Sequence, residues 1–182
     1  MPFIKTDIAD LLIFEPTVYK DERGFFFEAY NEQTFHKEEI TNRFVQDNQS
    51  FSRYGVIRGL HYQLDPHAQA KLIRVLQGRI LDVAVDLRRS SPTYGQHVSV
   101  ELSGENQRQL LVPRGFAHGF SVLSETAAVF YKCDAFYHKA SEGGIRYDDS
   151  QLNIDWQIPA GKAIVSSKDL ELPVFAQCRN NF

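Results

Sequence analysis

The chain has 182 residues, enough for one sizeable hydrophobic core, and nothing in it calls for a second domain. It is 43% hydrophobic and 24% charged with a net charge of −3, the make-up of an ordinary globular protein. No basic block is present to follow a nucleic-acid backbone, and no apolar run is long enough to span a bilayer, so both partners are argued against.

MPFIKTDIAD at the N-terminus lacks the basic-then-apolar order of a signal peptide. The two cysteines, Cys133 and Cys178, have no CxxC spacing and form no framework, which fits a reducing cytoplasm. Fourteen Phe and eight Tyr against one Trp tilt the chain toward sheet, because aromatic residues pack well on pleated surfaces.

In chain order, LLIFEPTVY and GFFFEAY are short apolar runs split by the turn-like Lys20-Asp21-Glu22-Arg23-Gly24. Phe25 to Phe27 read as core. Asn31 is placed to cap a short helix that carries Phe35 and ends before Ile40. From Phe44 onward strand signals dominate. Leu81, Val83, Val85 and Leu87 share one face of a strand, with Asp82, Ala84 and Asp86 opposite. HVSVELS, QLLVP, HGFSVLS and AAVFYKC follow at short spacing, with turn residues between them. Many short strands so punctuated predict a single all-β domain, residues 1–182, built as an antiparallel sandwich or barrel with the termini packed outside.

One stretch concentrates chemistry. GVIRGLHYQLDPHAQAKLIRV, residues 55–75, sets Arg58, His61, Gln63, His67, Lys71 and Arg74 among strand formers. A proton carrier among fixed cations points to a site for an anionic ligand. Strand parity puts Arg58 and His61 on opposite faces, so both reach one ligand only if the strand bends. Gly59 lies between them, and irregular geometry is expected there. Lys71 shares a face with Ile73 and Val75, so it points inward from an apolar wall and calls for a negative partner. The plain alternative makes it a surface lysine of an edge strand.

LVPRGFAHGF, residues 111–120, resembles the second signature of the cupin superfamily, a Pro-x-Gly turn followed by an inward histidine. RGFFFE, QDNQSFS, GVIRGLHYQ, AQAKLIRV, DVAVDLRRSSPTYG, PRGFAHGF, YKCDAFY and SSKD occur in the order seen in dTDP-4-dehydrorhamnose 3,5-epimerases. The resemblance covers nearly the whole chain. It implies a double-stranded β-helix, or jelly-roll, barrel with a few short peripheral helices.

It also implies a reaction. The family's substrate is a thymidine-diphosphate sugar with a ketone at C4, which acidifies the hydrogens on C3 and C5. Epimerisation needs a base on one face, an acid on the other and positive charge near the enolate oxygen, with no cofactor. By resemblance His61 is the base, Asp169 its partner, Lys71 the enolate cation and Tyr131 the acid. Asp82 and Asp86 lie nearer His61 in sequence and stay open as partners. Arg23, Arg58 and Lys168 match diphosphate contacts, where guanidinium forks bind in pairs. Glu28, Gln46, Asp47, Asn48, His118 and Glu142 match nucleotide or sugar contacts, and Tyr137 a surface for thymine. Family members are homodimers in which one subunit's N-terminal part lines the other's pocket, a role that falls here to Arg23 and Glu28.

Two rivals exist. A metal-dependent cupin needs a His-x-His pair, but here the positions read His61-Tyr62-Gln63, so no metal is expected. A non-catalytic nucleotide-sugar binder would keep the cations and have no use for His61, Tyr131 and Asp169 together.

Overall fold

The computed structural model describes residues 2–182. Its strands are β1 (Phe3–Lys5), β2 (Leu12–Phe14), β3 (Tyr19–Asp21), β4 (Gly24–Phe26), β5 (Gln46–Arg53), β6 (Ile57–Gln63) and β7 (Lys71–Gln77). They continue with β8 (Arg79–Asp86), β9 (His97–Ser103), β10 (Gln109–Val112), β11 (Phe116–Val122), β12 (Thr126–Cys133) and β13 (Glu142–Gly144). The helices α1 (Glu32–His36) and α2 (Ser167–Leu170) are both short.

Two sheets face each other. One has six strands in the order β1-β2-β10-β7-β12-β5, the other five in the order β13-β6-β11-β8-β9. Every pairing between strands within them is antiparallel. Between them lies an apolar layer of Ile73, Val75 and Val129 from one side and Ile80, Val100, Leu102 and Phe120 from the other. This is a cupin-type jelly roll, the form of antiparallel sandwich that the resemblance implies.

Both sheets are covered on their outer faces as well. Leu81, Val83 and Val85 point outward from β8, where Ile145, Leu152, Trp156 and Phe175 of the C-terminal segment bury them. That explains why β8 is buried along nearly its whole length: each face meets a different apolar layer. Phe35 and Ile40 cover Phe14, Leu72 and Leu111 on the other sheet. Asn31 caps α1 as expected, its side chain accepting from the amides of Gln33 and Thr34.

The expectation that Phe25 to Phe27 belong to the core is overturned. Phe25 is 59% and Phe26 71% exposed. They sit on β3–β4, a two-stranded hairpin separate from both large sheets, so no opposing layer exists to bury them. Only Phe27 is partly covered, with the Arg74 guanidinium 5.0 Å from its ring centre.

Candidate active site

Gly59 is irregular, as predicted. Between β6 and β11 the register runs from His61↔His118 to Arg58↔Phe120, so β6 carries one extra residue across that span. Gly59 has φ +122°, and a Cβ there would sit 2.5 Å from Gly119 Cα. The extra residue resets the parity: Ile57, Leu60 and Tyr62 face outward into the C-terminal layer, while Arg58 and His61 both line the interior.

His61 Nε2 lies 2.8 Å from Asp169 Oδ1. Asp169 reaches it from α2, far away in sequence, and its Oδ2 also accepts from Gly59 N at 3.4 Å. Burial works against charge on Asp169, but the bonds from His61 and Gly59 prevail and hold its carboxyl below the ordinary range. An ionised Asp169 accepts, so Nε2 carries the hydrogen, and in the neutral ring the lone pair is on Nδ1. The nearer rivals are engaged elsewhere. Asp82 Oδ1 is 2.7 Å from His118 Nε2, and Asp86 binds Arg88, Ser91 and Thr93.

A cavity of about 510 Å³ is lined by Arg58, His61, His118, Lys168 and Asp169 on one side and Lys71 and Tyr131 on the other. A second, of about 350 Å³, shares His61, Lys71 and Tyr131 and adds Gln46, Asn48, Tyr137 and Glu142. His61 belongs to the five-stranded sheet, Lys71 and Tyr131 to the six-stranded one, so the base faces its counterparts across the space.

Burial lowers the Lys71 pKa, although Cys133, Asp82 and Glu142 pull the other way. Among the described residues Lys71 makes no ion pair, so its ammonium group faces the cavity without a carboxylate of this protomer on it. Burial pushes the Tyr131 phenol up, Cys133 adds to this, and the Arg58 charge opposes it. The phenol therefore rests protonated, ready to donate. Arg58 is held by its Nε bond to Ser52 Oγ at 3.0 Å.

Glu142 collects the mouth of the site. It accepts from Lys168 Nζ at 2.8 Å and from the Tyr137 hydroxyl at 3.1 Å. The Lys168 bond raises the Lys168 pKa; for Glu142, burial is outweighed by Lys168 and Tyr137, which hold its carboxyl low.

Three expected site residues lie elsewhere. Gln46, Asn48, Ser50 and Ser52 turn inward on β5, and strand alternation sends Asp47 outward, where it binds Lys132 Nζ at 2.9 Å. Arg23 pairs with Asp21 in the exposed hairpin, and Glu28 accepts from Asn31 at 3.0 Å; neither lines the cavities of this protomer. Two polar residues lining the larger cavity, Ser50 and Ser166, are absent from the expected set. The alternation of β5 was enough to find the first, and the S-x-x-D spacing before Asp169 the second. Among the described residues no three His, Cys, Asp or Glu side chains gather as metal ligands.

A cupin-type jelly roll whose interior opposes a His–Asp pair to a lysine and a tyrosine defines a class, enzymes that move protons on a bound anion. Residues 5–177 match the family model described as dTDP-4-dehydrorhamnose 3,5-epimerase, and the chain belongs to that family. It is 54% identical over 173 residues to the dTDP-4-dehydrorhamnose 3,5-epimerase of Shigella flexneri, covering 93% of each chain. The crystal structure of the enzyme of that name from Elizabethkingia anophelis superposes with a TM-score of 0.92 at 55% identity, covering 98% of both chains. The Legionella pneumophila dTDP-6-deoxy-D-glucose-3,5-epimerase, solved in complex with dTDP-4-keto-L-rhamnose, gives a TM-score of 0.92 at 50% identity. That match covers 96% of this chain and 93% of the other.

Proposed function

We propose that this chain epimerises dTDP-4-dehydro-6-deoxy-D-glucose at C3 and C5, giving dTDP-4-dehydro-L-rhamnose. The observation that carries this reading is the opposition of His61–Asp169 to Lys71 and Tyr131 across one cavity. His61 Nδ1 removes the hydrogen alpha to the C4 ketone, and the electron pair passes to the carbonyl oxygen as an enolate. Asp169 stabilises the imidazolium that results. Lys71, unpaired by protein and facing the cavity, supplies positive charge for the enolate oxygen. Tyr131 returns a proton to carbon from the other face, which inverts the centre. His61 then releases its proton to water and Tyr131 regains one from water, and repeating the cycle at the second carbon completes the reaction. Only protons move, so no redox cofactor is required.

Arg58 and Lys168 suit the diphosphate, a dianion that compensates the cationic side of the cavity. His118 suits a sugar oxygen. Gln46, Asn48, Tyr137 and Glu142, lining the adjoining cavity, suit the nucleoside. Nuclear magnetic resonance in deuterated water, with purified protein and dTDP-4-keto-6-deoxy-D-glucose, tests the reading. Deuterium entering both C3 and C5 supports it. Label at one carbon alone makes the chain a single-site epimerase, and label at neither in folded protein sinks the assignment.

The same reading makes the chain a single-domain cytoplasmic homodimer. Tyr19, Phe25 and Phe26 on the hairpin and Phe51 on β5 are exposed aromatics, and β5 ends its sheet with an unpaired edge. Burying them on a second copy would remove both liabilities and bring Arg23, Asp47 and Glu28 toward a neighbouring site. Sedimentation of wild type and Phe26→Asp tests it: a dimer that dissociates on substitution is the expected result.

A further inference from the structure

Asp169 decides whether His61 is a base, and its own placement rests on an altered helix cap. Ser166-Ser167-Lys168-Asp169 has the S-x-x-D spacing of a capping box. In that motif the cap hydroxyl accepts from the third helical amide, and the carboxylate returns to the cap amide. The first half is present: Ser166 Oγ accepts from Asp169 N at 3.1 Å. The second half is diverted. Both carboxylate oxygens leave their own helix, Oδ1 for His61 Nε2 and Oδ2 for Gly59 N.

Helix α2 has four residues, too few to hold its shape by internal bonds alone. Leu170 N and Glu171 N do return to the carbonyls of Ser166 and Ser167, at 3.1 and 3.3 Å. The amide of Asp169, however, is secured by the serine hydroxyl. Ser166 also lines the same cavity as His61 and Asp169, so this cap faces the reacting groups rather than solvent alone.

We propose that Ser166 is a positioning residue for the base: its hydroxyl fixes the Asp169 backbone and thereby aims the carboxylate at His61. The inference rests on the proton-transfer reading above. Ser166 itself exchanges no proton with substrate. Around His61, the groups contributed by other elements are Asp169 and Lys168 of α2, Glu142 of β13, His118 of β11, Lys71 of β7 and Tyr131 of β12, with Tyr137 and Arg179 from the segments that follow β12 and α2. A change at Ser166 leaves the charge of each of them in place.

The test compares Ser166→Ala, Ser166→Gly and Ser166→Thr with wild type in two measurements. The first is the carboxyl carbon resonance of Asp169 against pH, without substrate. The second is kcat and KM for conversion of dTDP-4-keto-6-deoxy-D-glucose. Ala and Gly are expected to move the Asp169 titration up toward the ordinary carboxylate range and to lower kcat about tenfold with KM within about twofold. Thr, which keeps the hydroxyl, is expected to restore both. Glycine matters because it is nearly as good a cap as serine, so its loss of kcat comes without loss of the helix.

An unchanged titration and kcat in Ser166→Gly would overturn the proposal. So would a fall in kcat with the Asp169 titration unmoved and no rescue by Thr, since the hydroxyl would then only support the local fold. Wild type that labels neither C3 nor C5 defeats the epimerase reading instead. The titration still decides in that case whether Ser166 aims Asp169.

Discussion

His61 and His118 are register partners on adjacent strands, and each meets an aspartate through Nε2, at 2.8 and 2.7 Å. The resemblance ends there. The His61 side chain is 34% exposed and that of His118 9%, while their carboxylates are 6% and 0% exposed. Asp169 arrives from a separate short helix and has both oxygens bonded. Asp82 belongs to β8, and its Oδ2 has no partner among the described residues. A base must be open to substrate on one side and backed by a satisfied, charged carboxylate on the other; only the first pair meets both conditions. The second pair is buried more deeply beside it, with Asp82 enclosed and only part of the His118 ring reaching the cavity.

Substitutions should separate the two pairs, the largest effects falling on the first. His61→Asn is expected to cut deuterium entry at C3 and C5 by about a thousandfold or more, read by the same resonance experiment. Tyr131→Phe sharpens the contrast by sparing abstraction: product falls about a hundredfold while loss of the alpha hydrogens to water persists. Asp169→Asn should lower kcat by about a hundredfold, because an amide supports neither the tautomer nor the imidazolium.

Asp169→Asn also carries a pH signature. The folded-state pKa of Asp169 is below its unfolded value, so its contribution to stability is complete above the ordinary carboxylate range. That contribution is lost as pH falls through the lower folded value. Acid unfolding of the Asn variant, followed by circular dichroism, should lack that part of the pH dependence.

Asp82→Asn should invert the pattern. It places an amide donor where a buried oxygen already lacks a partner, costing about 1–3 kcal/mol in denaturant unfolding while kcat falls less than about tenfold. Smallest of all is Asp47→Ala, which removes a half-exposed pair with Lys132. At most about 1 kcal/mol of stability and no turnover by an isolated protomer should be lost; a larger loss of kcat would place Asp47 at a partner's site.

Much of this was legible in the chain because it depends on local pattern. The alternation of residues 79–87 and the Asn31 cap are read from neighbours, and the conflict of parity between Arg58 and His61 demanded an irregular Gly59. Pairings across long separations were not legible by spacing. Asp82 and Asp86 are closer to His61 in the chain, and only resemblance favoured Asp169. Phe25 and Phe26 misled because hydrophobicity alone does not distinguish a core strand from an exposed hairpin. Asp47 parts from Gln46 and Asn48 because a motif treats adjacent residues alike, whereas a strand sends them to opposite faces.

The contact between Gly59 and Gly119 bears on how this protein can change. A side chain at Gly59 would meet Gly119 Cα at 2.5 Å, and one at Gly119 would meet the Arg58 carbonyl oxygen at 2.7 Å. Each obstruction is backbone, so no rotamer relieves it, and altering both positions together compounds the clash. Libraries aimed at new sugar substrates would do best to leave these two codons fixed and spend their diversity on Ser50, Val56, Ile164 and Val165, which border the same cavity from other directions.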